Sequence, residues 1–350
     1  MNHSLLPDEC ALQHGRAPRP LPLFLEMVRA VGEHDPETAR AALEGLAKYE
    51  QTPRLSARPT RPVAAWAQGA ALYDYGGDGP PAILVPSLIN PPHVLDLDED
   101  VSLAAAVSRM GRRSLLLDWG PAQERSELDV GGHVEKLLLS LMAELHEPPA
   151  LVGYCLGGTM AIAAANLAPV ERVATVASPW RFSDYPDESR QSLLALWGHA
   201  RGAAASLKAL PMEVLQGAFW SLDPRRTVKK FADFAQVDPA SLQARRFAVL
   251  EDWANEGEPL PLPAASELLE EFFEQDVTGT GEWRVAGQRI SGKLSVPTLH
   301  FTAARDRITP AASAADGDRF EIPAGHVGMV VGRARSLLHA ELGRFLRLAA

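Results

Sequence analysis

Gly153-Tyr154-Cys155-Leu156-Gly157-Gly158 sets a cysteine between glycines two positions to either side. That is the spacing of a nucleophile elbow, in which the reactive side chain stands on a sharp turn from strand to helix. Small flanking residues let the backbone fold so tightly. Pro149-Ala150-Leu151-Val152 is a short apolar run ending at the first glycine, and the stretch from Thr159 to Leu167 is rich in helix formers. Strand, tight turn and helix therefore occur in the required order. A cysteine at such a turn, given a base, is an acyl-accepting thiol that carries its acyl group as a thioester.

The base and its orienting acid are expected later in the chain, each on a loop after a late strand. Asp306 lies just past the apolar run Pro297-Thr298-Leu299-His300-Phe301-Thr302, and His326 lies in the glycine-flanked loop Gly325-His326-Val327-Gly328 before a final helix. In this assignment His326 takes the proton of Cys155 while Asp306 fixes the tautomer and orientation of the imidazole. A lone loop histidine or turn aspartate is commonplace, but the ordered set of three at strand ends is not. The tetrahedral oxyanion needs donors, and the expected ones are the backbone N–H of Leu156 and that of Ser87 or Leu88. These last two lie in Val85-Pro86-Ser87-Leu88-Ile89-Asn90-Pro91-Pro92, where the prolines have no N–H to give.

These residues need a scaffold, and the chain alternates buried-strand runs with amphipathic helices. Ala82 to Val85, Ser114 to Asp118, Ala150 to Tyr154, Val173 to Ala177, Thr298 to Thr302 and Arg319 to Ile322 read as strands. Val134, Leu137, Leu138, Leu141, Met142 and Leu145 recur at helical spacing as a core stripe. Such alternation predicts an α/β domain whose mostly parallel sheet has helices on both faces. N-terminal to it, Leu21 to Gly32 and Asp35 to Tyr49 read as helices, the second with Asp35 as N-cap and Pro36 at N1. A proline-punctuated basic linker runs from Pro53 to Pro62. The expected division is an N-terminal helical segment and linker (1–62), a catalytic domain (63–179 and 295–350), and an inserted helical cap (180–294). The tryptophans of that insert, Trp197, Trp220, Trp253 and Trp283, are read first as its own core and second as the wall of an acyl pocket.

A net charge of −10 argues against a nucleic-acid binder, which needs a basic face, but leaves room for a local strip that takes a coenzyme A thioester. The two cysteines, Cys10 and Cys155, are far apart in sequence and suggest no disulfide, in keeping with a reducing cytoplasm. The N-terminus lacks the pattern of a signal peptide, and the apolar runs are too short to span a bilayer. Asp96-Leu97-Asp98-Glu99-Asp100 has the acidic start of a calcium loop, but Val101 stands where such a loop needs glycine, so the stretch reads as a helix start. No histidine or cysteine spacing suits a metal, and Gly76-Gly77 and Gly131-Gly132 lack the lysine of a phosphate loop.

On these motifs the chain resembles the polyhydroxyalkanoate synthases, a branch of the α/β-hydrolase superfamily. Gly153 to Thr159 is similar to that family's lipase-like box, which carries cysteine. Val85-Pro86-Ser87-Leu88-Ile89-Asn90, followed by Val94-Leu95-Asp96-Leu97, is similar to its Val-Pro-Pro-x-Ile-Asn segment. Leu117-Asp118-Trp119-Gly120 resembles a strand end of the family, and Gly325-His326-Val327-Gly328 its histidine loop. Two positions depart from the pattern: Ser87 replaces the second proline, and Arg307 stands where many members have histidine. The resemblance implies an α/β-hydrolase fold with an inserted cap and a short catalytic subunit. It implies Cys155 as nucleophile with Asp306 and His326 as partners, and a 3-hydroxyacyl-coenzyme A substrate whose acyl group extends a polyester. It implies no cofactor beyond the coenzyme A of the substrate, a cytoplasmic place at storage granules, and either a second synthase subunit or a cap-mediated homodimer. Two other readings stay open: a thioesterase, esterase or polyester depolymerase on the same triad, and a non-catalytic granule protein.

Overall fold

A computed structural model describes residues 17–54 and 59–347. Cys10 and residues 55–58 of the linker lie outside the described residues. The chain divides into two compact units. One takes the described part of Met1–Leu55 with Pro224–Asp252, and the other takes the described parts of Ser56–Asp223 and Trp253–Ala350.

The smaller unit is helical. Its first two helices, Leu21–Gly32 and Pro36–Gln51, fall where the sequence places them, and Asp35 caps the second by accepting from the Thr38 N–H at 3.0 Å. They form a unit with the helix Pro224–Ala235 and most of Leu242–Asn255. Phe24 and Tyr49 meet Phe231 edge-on at 4.8 and 5.9 Å. Gly45 permits this packing, because a Cβ there would stand 1.9 Å from the Phe231 carbonyl oxygen. Lys48 donates to the carbonyls of Ala235 and Val237, neutralising the negative end of the facing helix, and Arg54 makes a two-pronged pair with Asp252. The expected division thus needs redrawing. The amphipathic helix 224–235 puts its apolar face against the N-terminal helices, so the insert 180–294 does not form a unit of its own.

The larger unit is built on an eight-stranded sheet: β1 (Val63–Ala67), β2 (Ala70–Asp74), β3 (Pro81–Val85), β4 (Arg113–Asp118), β5 (Ala150–Tyr154), β6 (Arg172–Val176), β7 (Thr298–Ala303) and β8 (Asp318–Ile322). The spatial order is β1-β2-β4-β3-β5-β6-β7-β8, antiparallel from β1 to β4 and parallel thereafter. β3 and β5 are buried at every position, as expected for strands covered on both faces. The stripe from Val134 to Met142 is buried in the helical stretch Val130–Ala143, which carries a π turn at His133–Leu138. The hairpin β1–β2 has no counterpart among the expected strands. Its alanine-rich arms carry little β-branched signal, and the tight turn rests on Gln68 and Gly69, both at positive φ (46° and 87°).

Two further expectations are adjusted. The helix after the acidic stretch begins only at Leu103, capped by Ser102; Asp98 instead closes a turn by accepting from the N–H groups of Asp100 and Val101. The remaining insert, 180–223 and 253–294, shares its core with the sheet. Trp180, Trp197, Phe272 and Trp283 belong to the same hydrophobic cluster as Leu137, Leu151 and Met160. Trp197, Trp220, Trp253 and Trp283 are all buried, and the indole N–H groups of Trp197 and Trp283 are met by Glu270 and Glu267. Among the described residues no helix is long and apolar enough to cross a membrane.

Candidate active site

Cys155 leaves β5 with φ 55° and ψ −132°, and the helix Leu156–Leu167 starts at the next residue. A non-glycine residue at positive φ is strained, and the contacts around it show what holds the strain in place. The Cys155 N–H donates to the Val176 carbonyl at 2.9 Å, and the Gly158 N–H donates to the Cys155 carbonyl at 2.9 Å. The glycines are dictated by space. A Cβ on Gly153 would sit 2.3 Å from the Gly158 Cα, one on Gly157 would sit 2.1 Å from the Val85 carbonyl oxygen, and one on Gly158 would sit 2.0 Å from the Ser178 Oγ. The helix start is therefore pressed against the end of β3.

Asp306 follows β7 by three residues and His326 follows β8 by four. The two loops are tied together where they leave the sheet: Ala304 donates to Ile322, and Arg305 to Ala324 and Pro323. One oxygen of Asp306 accepts from the N–H groups of Ile308 and Thr309 at 2.8 and 2.9 Å; the other faces His326 Nδ1 at 2.8 Å. This leaves the far nitrogen of the ring for Cys155, whose sulfur lies within electrostatic reach of the imidazole. Both partners of the Asp306–His326 pair are buried. Burial alone would pull His326 down, but the Asp306 carboxylate and then the Cys155 sulfur overcome it and hold the imidazole up at about 10. The three residues singled out by motif order are thus brought together at the carboxyl end of the parallel sheet, where open α/β sheets place their sites.

Leu156 is the first helical residue, so its N–H has no intrahelical acceptor and belongs to the positive end of the helix. Ser87 and Leu88 are buried in the loop after β3, immediately beyond the Val85-Pro86 carbonyls against which Gly157 packs. Trp119 fixes that loop by donating to the Pro86 carbonyl at 3.1 Å. A cleft of about 510 Å³ opens on its outer side, with Ser87, Leu88, His93, Trp119 and Arg125 in its wall; Cys155 does not line it. The segment from Trp253 to Glu258 closes one side: the Trp253 indole N–H donates to the Pro91 carbonyl at 2.8 Å, and the Ala122 N–H donates to Glu258 at 2.5 Å. Arg307 turns away from the triad to pair with Asp223. No cluster of three or more His, Cys, Asp or Glu among the described residues is placed to hold a metal ion.

Sequence reasoning passed over two phenols. The Tyr154 ring lies 5.2 Å from that of His326, centroid to centroid, at a tilt of 43°. Tyr185 is stacked on Phe182 and lies within electrostatic reach of Cys155 and Asp306. Tyr154 was visible inside the elbow motif, but strand alternation alone would turn it away from its neighbour.

No family model matches the chain. Among curated proteins it is similar to the "Poly(3-hydroxyalkanoate) polymerase subunit PhaC" of Haloferax mediterranei, with 25% identity over 276 residues, 72% of this chain and 55% of that protein. It is similar also to the proteins of the same name from Thiocystis violacea, 24% identical over 289 residues (76% of this chain, 80% of that one), and Synechocystis sp., 25% over 279 residues (72% and 73%). At these identities the chain is similar to polyhydroxyalkanoate polymerase subunits. It spans little more than half of the haloarchaeal relative and most of the other two. Among solved structures, epoxide hydrolase A from Mycobacterium thermoresistibile superposes with a TM-score of 0.51 over 83% of this chain and 98% of that one at 17% identity, which shows the shared α/β-hydrolase fold.

Proposed function

We propose that this chain is a polyhydroxyalkanoate synthase, an acyltransferase that forms the polyester from 3-hydroxyacyl-coenzyme A through a thioester on Cys155. The observation that carries the reading is the alignment of Cys155, His326 and Asp306, with His326 held up at about 10. His326, oriented by Asp306, is the proton acceptor that lets the Cys155 sulfur act as nucleophile. The thiolate attacks the substrate carbonyl, the N–H of Leu156 and that of Ser87 or Leu88 receive the oxyanion, and the coenzyme A sulfur departs with the proton from His326. In the second half His326 takes the proton of an attacking hydroxyl. That oxygen bonds to the acyl carbon, the bond to Cys155 breaks, and the ester chain is longer by one unit. No step calls for a cofactor, and coenzyme A enters only as the substrate's carrier. The relatives are named as subunits, which supports work with a second chain, with a homodimer as the other arrangement, at the surface of a cytoplasmic granule.

The test is incubation with 3-hydroxybutyryl-coenzyme A, following coenzyme A release, the mass of the Cys155 peptide and the product. The expected outcome is an acylated Cys155 and insoluble polyester, both abolished in Cys155→Ala. Free 3-hydroxybutyrate as sole product would make the chain a hydrolase on the same triad. Turnover unaffected by Cys155→Ala would leave a scaffold role.

A further inference from the structure

Tyr154 occupies the position immediately before the nucleophile and packs its ring against the imidazole of His326 at 5.2 Å. The residue is 3% exposed, and its phenolic hydroxyl is buried with no hydrogen-bond partner among the described residues. Buried hydroxyls rarely stay unpaired, since an unmet donor forfeits its hydration without return. The packing of the elbow would be served as well by phenylalanine, which has the same ring and no polar atom. A hydroxyl in this place, on the residue next to the nucleophile and against the ring of His326, is open to a partner that arrives with the substrate.

We propose that the Tyr154 hydroxyl is a specificity determinant that hydrogen-bonds the 3-hydroxyl of the acyl group riding on Cys155, so that the site prefers 3-hydroxyacyl over plain acyl thioesters. The proposal rests on the acyl-transfer reading above and adds the feature of the acyl group that is recognised. Three points of chemistry support it. The 3-hydroxyl stands two carbons beyond the thioester carbonyl, within the span of a residue adjacent to the sulfur. A phenol both donates and accepts, which suits a hydroxyl that does the same. Burial, with the Cys155 and Asp306 charges behind it, pushes the phenol well above its ordinary value, so it remains a neutral donor throughout the working range. Its ring contact with His326 places it in the triad's surroundings.

The test compares 3-hydroxybutyryl- and butyryl-coenzyme A, reading coenzyme A release and Cys155 acylation as kcat/KM in wild type and in the isosteric Tyr154→Phe. Wild type is expected to favour the hydroxylated thioester, and Tyr154→Phe to lower that preference by about five- to tenfold, the range for one hydrogen bond, by slowing the hydroxylated substrate alone. The ratio is taken within each protein, so a loss of active fraction cancels. The variant is also expected to unfold at a higher temperature, because an unmet buried hydroxyl is removed. A wild type without preference, or a Tyr154→Phe ratio equal to that of wild type, overturns the proposal while leaving acyl transfer standing. Failure of both thioesters to acylate Cys155 in wild type overturns acyl transfer and this proposal with it.

Discussion

Replacing Asp306 with asparagine should remove the charge that holds His326 up while preserving the shape of the site. The gap between an ordinary imidazole at 6.5 and His326 at about 10 corresponds to roughly 5 kcal/mol in favour of the imidazolium. Burial acts against this, and the Asp306 carboxylate is the largest force in its favour. In Asp306→Asn the side-chain oxygen still accepts from Ile308 and Thr309, but the charge facing Nδ1 is gone, and burial then works against the Cys155 contribution alone, so the ring should fall. A neutral imidazole whose tautomer is no longer fixed cannot hold the thiol proton. An ordinary thiol near 8.5 is only about 3% ionised at pH 7, so taking away the imidazole's help should slow alkylation of Cys155 by up to about 30-fold at that pH. The assay is the rate of iodoacetamide labelling from pH 5.5 to 9.5 in a Cys10→Ser background, which removes the one other cysteine of the chain. Wild type should react faster than the variant at neutral pH, and the variant's rate should depend more steeply on pH. Superimposable profiles would refute the view that Asp306 acts through His326 to activate the sulfur.

Other consequences follow from the same geometry. Gly157→Ala drives a Cβ to 2.1 Å from the Val85 carbonyl oxygen, and should destabilise the protein by roughly 3 kcal/mol or more, seen as a lowered thermal midpoint; an unchanged midpoint would mean the elbow is looser than described. His326 is raised in the folded chain, so its contribution to stability is fully present below about 6.5 and is lost as pH rises through about 10. Thermal midpoints should accordingly fall across that window, less steeply in Asp306→Asn. Glu267, held up at about 7 chiefly by burial and then by the charge of Asp129, stabilises most below 4.5 and loses that contribution as pH rises through 7. Glu267→Gln should remove this slope from the wild-type stability profile, and an unaltered slope would show that Glu267 does not titrate there.

How much of this was legible in the sequence differs from residue to residue. Cys155 announced itself because the space around the elbow admits only glycine at Gly153, Gly157 and Gly158, and that demand is written in the chain as a motif. Asp306 and His326 were legible by order and by the strands before them. The hairpin β1–β2 was not, since alanine has no strong strand preference and the pairing with β4 that stabilises β2 is non-local. The helix Pro224–Ala235 gave a clear amphipathic pattern, but a pattern shows that a face must be covered without naming what covers it.

By itself the chain determined the chemistry on offer: a thiol on a strained turn, an imidazole and a carboxylate at successive strand ends, and a parallel sheet to carry them. Local spacing suffices there, because tight turns and buried strands constrain residue type directly. Tertiary structure alone decided the rest. It brought the loops after β7 and β8 together, so that Asp306 and His326 meet at 2.8 Å and the imidazole gains its charge against the cost of burial. It also set beside that imidazole a phenol whose hydroxyl meets no partner among the described residues. Both depend on distances between segments far apart in sequence, and electrostatic strength in a buried site is a property of those distances.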